Sequence, residues 1–263
     1  MFGSMLGLHR LLRRWYARKG RLVVLPAVHS PELENRRDLY VHVPAAPTRG
    51  DARYPVIYMQ DGQNLFDPAL SFAGTWGVDE ALRWASGRGL DAIVVGIPNL
   101  GAARLAEYNP FVEAGARYLD FVTHTVKTLV DGQFPTLPDR THTGIAGSSM
   151  GGLISLYAFF RYSEIFGFVA ALSPSLWFAD GALLDLVARA PRLPGRLYLD
   201  VGMREGEQTV ALGRRLRDLL LTKGYEPGRD FRWVEDGDGV HHESAWGRRF
   251  RKALPFLLRE PAA

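Results

Sequence analysis

Beyond residue 20 the chain alternates between short apolar runs and stretches in which apolar residues recur every three or four positions. The runs are 22–27, 38–43, 55–60, 91–97, 141–146, 167–172, 196–201 and 230–235. Several are apolar without a break, as in Ala92–Ile97, which reads AIVVGI. A run of that kind fits a strand buried on both faces, as in a parallel sheet. The first two runs are more mixed and suit an antiparallel hairpin at a sheet edge. Between the runs the period changes. Val78–Trp84 follows a break at Gly77, and over 112–130 Leu119, Val122, Val126 and Leu129 share one helical face. Residues 150–162 follow a glycine-rich turn. Residues 207–222 carry Leu212, Leu216, Leu219 and Leu220 and stop before Gly224, and residues 244–257 place Trp246, Phe250, Ala253 and Leu257 on one stripe.

This alternation predicts an α/β protein with a mostly parallel, eight-stranded, doubly wound sheet and helices on both faces. No linker or internal repeat interrupts it, and no insertion is long enough for a separate lid domain. Residues 20–260 are therefore expected to form a single domain. The longest irregular stretches, 61–76 and 98–111, are the expected walls of a binding site.

Composition narrows the function classes. With 263 residues, 47% hydrophobic and 11% aromatic, the chain is too apolar to be disordered. It has no apolar run of about eighteen residues that would cross a membrane as a helix. It has no cysteine, which excludes a thiolate nucleophile, disulfides and Cys-ligated metals. That fits a reducing compartment, and a cytoplasmic location is expected.

The net charge of +4 is unevenly placed. Residues 1–31 hold Arg10, Arg13, Arg14, Arg18, Lys19 and Arg21, and the first acid is Glu32. The remainder carries 26 bases and 28 acids, a net charge of −2. A nucleic-acid binder carries its positive charge on the folded domain, so no nucleic-acid partner is expected. Residues 1–19 read as a basic leader. Residues 4–18 could form a short basic helix that touches an anionic membrane surface. The plainer reading is a poorly ordered leader. Leu22–Val28, which contains Pro26, is at the short limit for a secretory signal core and no small-x-small cleavage site follows it, so Val23, Val24 and Leu25 read better as the first strand.

The chemistry is concentrated in a few segments. Gly147-Ser148-Ser149-Met150-Gly151 matches G-x-S-x-G, with a strand before it and a helix after it. Such a turn strains its central residue, and the glycines avoid Cβ clashes around it. Ser149 is the expected nucleophile. A serine needs a base, and in this fold class the order along the chain is serine, acid, histidine. Of seven histidines only His241 and His242 follow Ser149. They lie in the loop after the last strand, and His241 is favoured. The acid is expected after the preceding strand, where Glu205 and Glu207 are available. Glu205 is preferred, to hold the imidazole tautomer. Asp200 lies inside the strand, where alternation points it sideways. The backbone N–H of Met150 is one expected oxyanion donor. The other comes from the Asp61-Gly62-Gln63-Asn64 turn, through Gln63, with Gly62 permitting the turn. The adjacent His241 and His242 make a poor metal site, and neither metal nor cofactor is expected.

These residues resemble the α/β-hydrolase esterase family that contains enterochelin and related siderophore esterases, feruloyl and acetyl-xylan esterases, S-formylglutathione hydrolases and mycolyltransferases. The likeness rests on segments 56–67, 75–82, 94–99, Arg104, 107–110, 147–152, 173–178 and 239–246. It implies His241 as base, Glu205 as acid in Gly202-Met-Arg-Glu205, and Gln63 as second oxyanion donor. It implies two-step acyl transfer on a small-molecule ester. Trp76, Arg104, Tyr108 and Trp177 are candidate substrate residues. The aromatics could equally be packing residues, and Arg104 could pair with Glu107 at i+3. Two other functions remain compatible: acyl transfer to an acceptor other than water, and a catalytically silent binding protein.

Overall fold

All eight apolar runs become strands of one sheet. They are β1 (Arg21–Ser30), β2 (Asn35–Val43), β3 (Val56–Gln60), β4 (Ile93–Ile97), β5 (Thr143–Ser148), β6 (Phe168–Leu172), β7 (Arg196–Gly202) and β8 (Phe231–Asp236). The computed structural model describes residues 20–45, 52–71 and 74–259, so the basic leader 1–19 lies outside the described residues. The strand order is β1-β2-β4-β3-β5-β6-β7-β8. β1 pairs antiparallel with β2, and β2 antiparallel with β4. All other pairs are parallel. The edge hairpin is longer than the apolar pattern suggests. Its register shifts between Leu25 and Val28, where Pro26 has no N–H to give and Ala27 takes φ 49°.

The helices are α1 (Val78–Ser86), α2 (Arg104–Glu107), α3 (Glu113–Asp120), α4 (Lys127–Gln133), α5 (Met150–Arg161), α6 (Ala182–Arg189), α7 (Glu207–Thr222) and α8 (Glu243–Leu257). The segment read as one helix over 112–130 is α3 and α4 joined by a π turn at Phe121–Val126. Such a wide turn rotates the buried face partway along the rod. The pattern missed α6. It buries only Leu183, Leu184 and Val187 within eight residues, too few for a period to stand out.

Alternation inside the apolar strands explains why they lack polar positions. Val56, Tyr58, Val169, Ala171, Leu197 and Leu199 join the core beneath α3 to α7. Ile57, Met59, Phe168, Ala170, Leu172 and Tyr198 join the core beneath α1 and α8. Both faces of each central strand are covered, so both sets of side chains are apolar. The carboxyl ends of β3, β5, β6, β7 and β8 share one sheet edge, and the chemistry-bearing loops emerge there. No helix among the described residues is long and apolar enough to cross a membrane.

Candidate active site

β5 ends at Ser148 and α5 begins at Met150, leaving Ser149 alone at the corner with φ 55° and ψ −125°. A residue with a side chain held there stores about 1–3 kcal/mol of backbone strain. Three hydrogen bonds hold it in place. The Ser149 N–H donates to the Leu172 carbonyl (3.0 Å), and the Ser149 carbonyl accepts from Leu153 and Ser175 (3.0 Å each). A Cβ at Gly147 would lie 2.6 Å from the Gly151 backbone, so the G-x-S-x-G spacing answers a steric need.

His241, in the loop between β8 and α8, reaches back to this corner. Its Nε2 lies 3.0 Å from Ser149 Oγ, and its Nδ1 lies 2.9 Å from Glu205 Oε2. The other Glu205 oxygen, Oε1, accepts from Ser173 Oγ (2.7 Å), the Gly202 N–H (3.1 Å) and Arg249 Nη2 (3.1 Å). Burial pushes the Glu205 carboxyl up, but hydrogen bonds from His241 and Ser173 and the Arg249 charge outweigh it. The net result is a carboxylate held below its ordinary range. An ionised Glu205 can only accept, so the network assigns the His241 proton to Nδ1 and leaves Nε2 as an acceptor facing Ser149. The imidazole is 46% exposed and stands edge-on to Trp246, with ring centroids 4.7 Å apart.

The neighbouring candidates do other work. The His242 Nδ1 accepts the Ser244 N–H and caps α8 (3.2 Å). Glu207 is exposed at the start of α7. Asp200 is fully buried, accepts the Ser173 N–H (3.2 Å) and lies 3.3 Å from Arg249 Nη1. Burial pushes its carboxyl up to about 7, against the pull of Arg249. Arg249 itself is 1% exposed and spans Asp200 and Glu205 with one guanidinium, donating also to Ser173 Oγ (2.9 Å). Sequence reasoning missed Ser173, Ser175 and Arg249. One signal was present: Arg249 stands three residues after Trp246 and four before Ala253, a charge on an otherwise apolar stripe.

The turn after β3 is built differently from expectation. Asp61, not Gly62, takes the left-handed conformation, with φ 55°. Gly62 is needed for proximity, because a Cβ there would lie 2.5 Å from the Gly96 carbonyl carbon. The Asp61 carboxylate is gripped by Arg104 through two bonds (2.7 and 2.8 Å) and by Asn99 Nδ2 (2.6 Å). The Asp61 N–H donates to the Tyr108 hydroxyl (3.0 Å), and the Asn99 N–H donates to Gln63 Oε1 (3.2 Å). Within the described residues no hydrogen bond claims the backbone N–H of Gln63 or of Met150.

Three of the four expected substrate residues are therefore accounted for otherwise. Arg104 pairs with Asp61, and Glu107 is taken by Arg37 (2.7 and 2.9 Å). Tyr108 is fully buried beneath the turn, where no substrate reaches. Trp76 is buried, its ring 6.0 Å from those of Trp246 and Phe250. Trp177 differs, with 52% of its surface exposed in the loop after β6.

A cavity of about 650 Å³, lined by Arg217, Trp233 and Phe256 among others, includes none of Ser149, His241 or Glu205 in its wall. The polar geometry described above lies at the Ser149 corner and not in that cavity. Among the described residues no group of His, Asp and Glu side chains is placed to hold a metal ion.

Comparison with known proteins bears on the family and the fold. The chain is 24% identical over 242 residues to the uncharacterized protein YbbA of Bacillus subtilis (strain 168), spanning 85% of this chain and 92% of that protein. It is 30% identical over 147 residues to the siderophore triacetylfusarinine C esterase of Aspergillus fumigatus, spanning 51% of this chain and 49% of that enzyme. A solved ferulic acid esterase superposes with a TM-score of 0.73 at 18% identity, covering 92% of this chain and 98% of that one. At that identity the likeness establishes the α/β-hydrolase fold. The family model described as "Putative esterase" matches residues 30–257, from the end of β1 to the end of α8, and the chain belongs to that esterase family.

Proposed function

We propose that the protein is a serine carboxylic-ester hydrolase working through an acyl-enzyme. Ser149 is the nucleophile, His241 the general base and Glu205 the acid that orients it. The observation that carries this reading is the unbroken relay from Ser149 Oγ to His241 Nε2 (3.0 Å) and from His241 Nδ1 to Glu205 Oε2 (2.9 Å).

In acylation His241 takes the Ser149 proton as Oγ bonds to the ester carbonyl carbon. The oxyanion is met by the N–H groups of Met150 and Gln63. His241 then returns the proton to the departing alcohol as the carbon–oxygen bond breaks. A water molecule repeats the sequence on the acyl-enzyme, and Oγ recovers its proton. The anionic Glu205 stabilises the imidazolium that forms each time. The Asp61–Arg104–Asn99 network acts indirectly, by fixing the turn that carries Gln63.

The substrate reading is a small-molecule ester with a bulky apolar or aromatic group. Leu100, Leu105, Phe111, Trp177, Met203 and Val240 are large, apolar and exposed, and all lie in the segments that follow the carboxyl ends of β4, β6, β7 and β8, Leu105 on the short helix α2. Relatives named for siderophore and ferulic acid esters support the small-molecule part of that reading. The test is turnover of p-nitrophenyl esters together with labelling by a fluorophosphonate. Wild-type protein is expected to hydrolyse them and to take one label at Ser149, with both properties lost in Ser149→Ala. Equal turnover by the two proteins would refute the assignment.

A further inference from the structure

Ser175 has no part in the relay described above, yet its hydroxyl lies 3.2 Å from Ser149 Oγ. It is buried, and it sits in the loop after β6, two residues beyond the serine that holds Glu205. Its backbone N–H also donates to the Ser149 carbonyl (3.0 Å), so the two residues touch twice. Nothing in the triad scheme requires a second hydroxyl at the nucleophile.

Proton accounting decides what that hydroxyl does. Glu205 is ionised and accepts from His241 Nδ1. In the neutral imidazole that acts as the base, Nε2 carries the lone pair, and the single proton of Ser149 is directed at it (3.0 Å). With that proton committed, Ser149 Oγ meets Ser175 with a lone pair only. In that state the Ser175 hydroxyl is the donor.

We propose that Ser175 is a catalytic residue that donates a hydrogen bond to the reacting oxygen of Ser149. The proposal rests on the reading of Ser149 as nucleophile. When His241 takes the Ser149 proton, negative charge builds on Oγ before its bond to the carbonyl carbon is complete. A donor already in place stabilises that charge without reorganisation. In deacylation the Oγ–carbon bond breaks and Oγ leaves with charge on it, until His241 returns the proton. Ser175 faces the same atom then, and keeps its own proton throughout. Both half-reactions gain from the contact, whereas the oxyanion donors act on the carbonyl oxygen instead. The donor is fixed by the fold, because the Ser175 N–H to Ser149 carbonyl bond anchors the loop to the strained corner.

The test compares Ser175→Ala with Ser175→Thr, which restores a hydroxyl. Two rates are read: kcat for a p-nitrophenyl ester, and the rate of Ser149 phosphonylation by a p-nitrophenyl phosphonate, which needs no deacylation. A lost charge-stabilising donor is expected to slow both rates about 10- to 100-fold in Ser175→Ala, with KM within about twofold of wild type. Ser175→Thr is expected to recover most of the loss. Full-speed phosphonylation by Ser175→Ala would overturn the proposal. So would a Thr variant that melts like wild type yet reacts as slowly as Ala, because shape and not the donor would then be responsible. Ser149→Ala, run alongside, separates the two readings. If it turns over ester like the wild type, the nucleophile assignment has failed and Ser175 falls with it. If it is inactive and Ser175→Ala is not slowed, only the Ser175 proposal has failed.

Discussion

Replacing Arg249 with Met tests how the site is held together. The guanidinium is 1% exposed and faces two buried carboxylates, with Nη1 at 3.3 Å from Asp200 and Nη2 at 3.1 Å from Glu205. Met fills similar volume but leaves both acids without their cation. Breaking a buried ion pair from one side costs about 3–5 kcal/mol. Asp200 lessens the cost, because its carboxyl already titrates at about 7 and takes up a proton when Arg249 is gone. A loss near the lower figure, about 3 kcal/mol, is therefore expected, which in a domain of this size lowers Tm by roughly 6–12 °C. Activity falls for a separate reason. Arg249 is one of the groups that keep the Glu205 carboxyl below its ordinary range, so its removal raises that pKa. A carboxyl with a raised pKa is ionised only at higher pH. The ratio of Arg249→Met to wild-type kcat/KM is thus expected to rise as pH increases. Combining Arg249→Met with Asp200→Asn removes the need for that proton uptake and is expected to return part of the lost Tm when the melt is run above pH 7. The assays are thermal melts and p-nitrophenyl ester kinetics across pH. A variant with wild-type Tm, or an activity ratio that is flat or falls with pH, would refute the reasoning.

Three further outcomes follow from the same geometry. Glu205→Gln is expected to lower kcat by about 10³–10⁴, because the imidazole loses its anionic partner. Glu207→Gln should stay within twofold (about 0.4 kcal/mol) in the same assay; the reverse order would reassign the acid. Arg104→Met frees the Asp61 carboxylate and loosens the turn that carries Gln63, so kcat should drop while KM changes little. The loss is bounded by the roughly 2.7–4 kcal/mol of one oxyanion donor, and an unchanged kcat would remove Gln63 from the scheme. Asp200 sets a pH dependence of stability. Its carboxyl rises from an ordinary 3.8 to about 7 in the fold, so the folded chain keeps a proton that the unfolded chain loses. Stability from this group is full at low pH and declines as pH rises through that window. Urea titrations should show wild type losing roughly 2–4 kcal/mol more than Asp200→Asn between pH 4.5 and 7.5, and equal losses would contradict the assignment.

The strands were legible because burial on both faces writes itself into sequence as unbroken apolar runs. Ile93–Ile97 could be read with no knowledge of its neighbours. The Ser149 corner was legible for a related reason: a sharp strand-to-helix turn leaves glycine at fixed offsets. What escaped depends on partners distant in sequence. Arg104 was read against Glu107, three residues away, but its partner is Asp61, 43 residues back. Glu107 pairs with Arg37, 70 residues away. Local spacing carries no trace of either contact. Trp76 and Tyr108 were open to two readings because a large aromatic serves equally in a wall or a core, and only burial separates the two.

The loop after β6 draws the separate parts into one mechanical unit. Ser173, held at φ 45°, binds Glu205 and accepts from both Trp246 and Arg249 of α8. Ser175 touches the nucleophile, and Trp177 stands in solvent. Alternate residues of five thus address the acid, the nucleophile and the outside. In the proposed triad the acid follows β7 and the nucleophile follows β5, and β6 lies between these strands in the sheet. A loop leaving the middle strand is the shortest bridge between the two flanking ones. The strand order therefore does more than expose Ser149 at an edge. It places a single short segment where the distance between base-orienting acid and nucleophile is set, so a shift of Ser173 that loosens Glu205 also displaces Ser175 from Ser149.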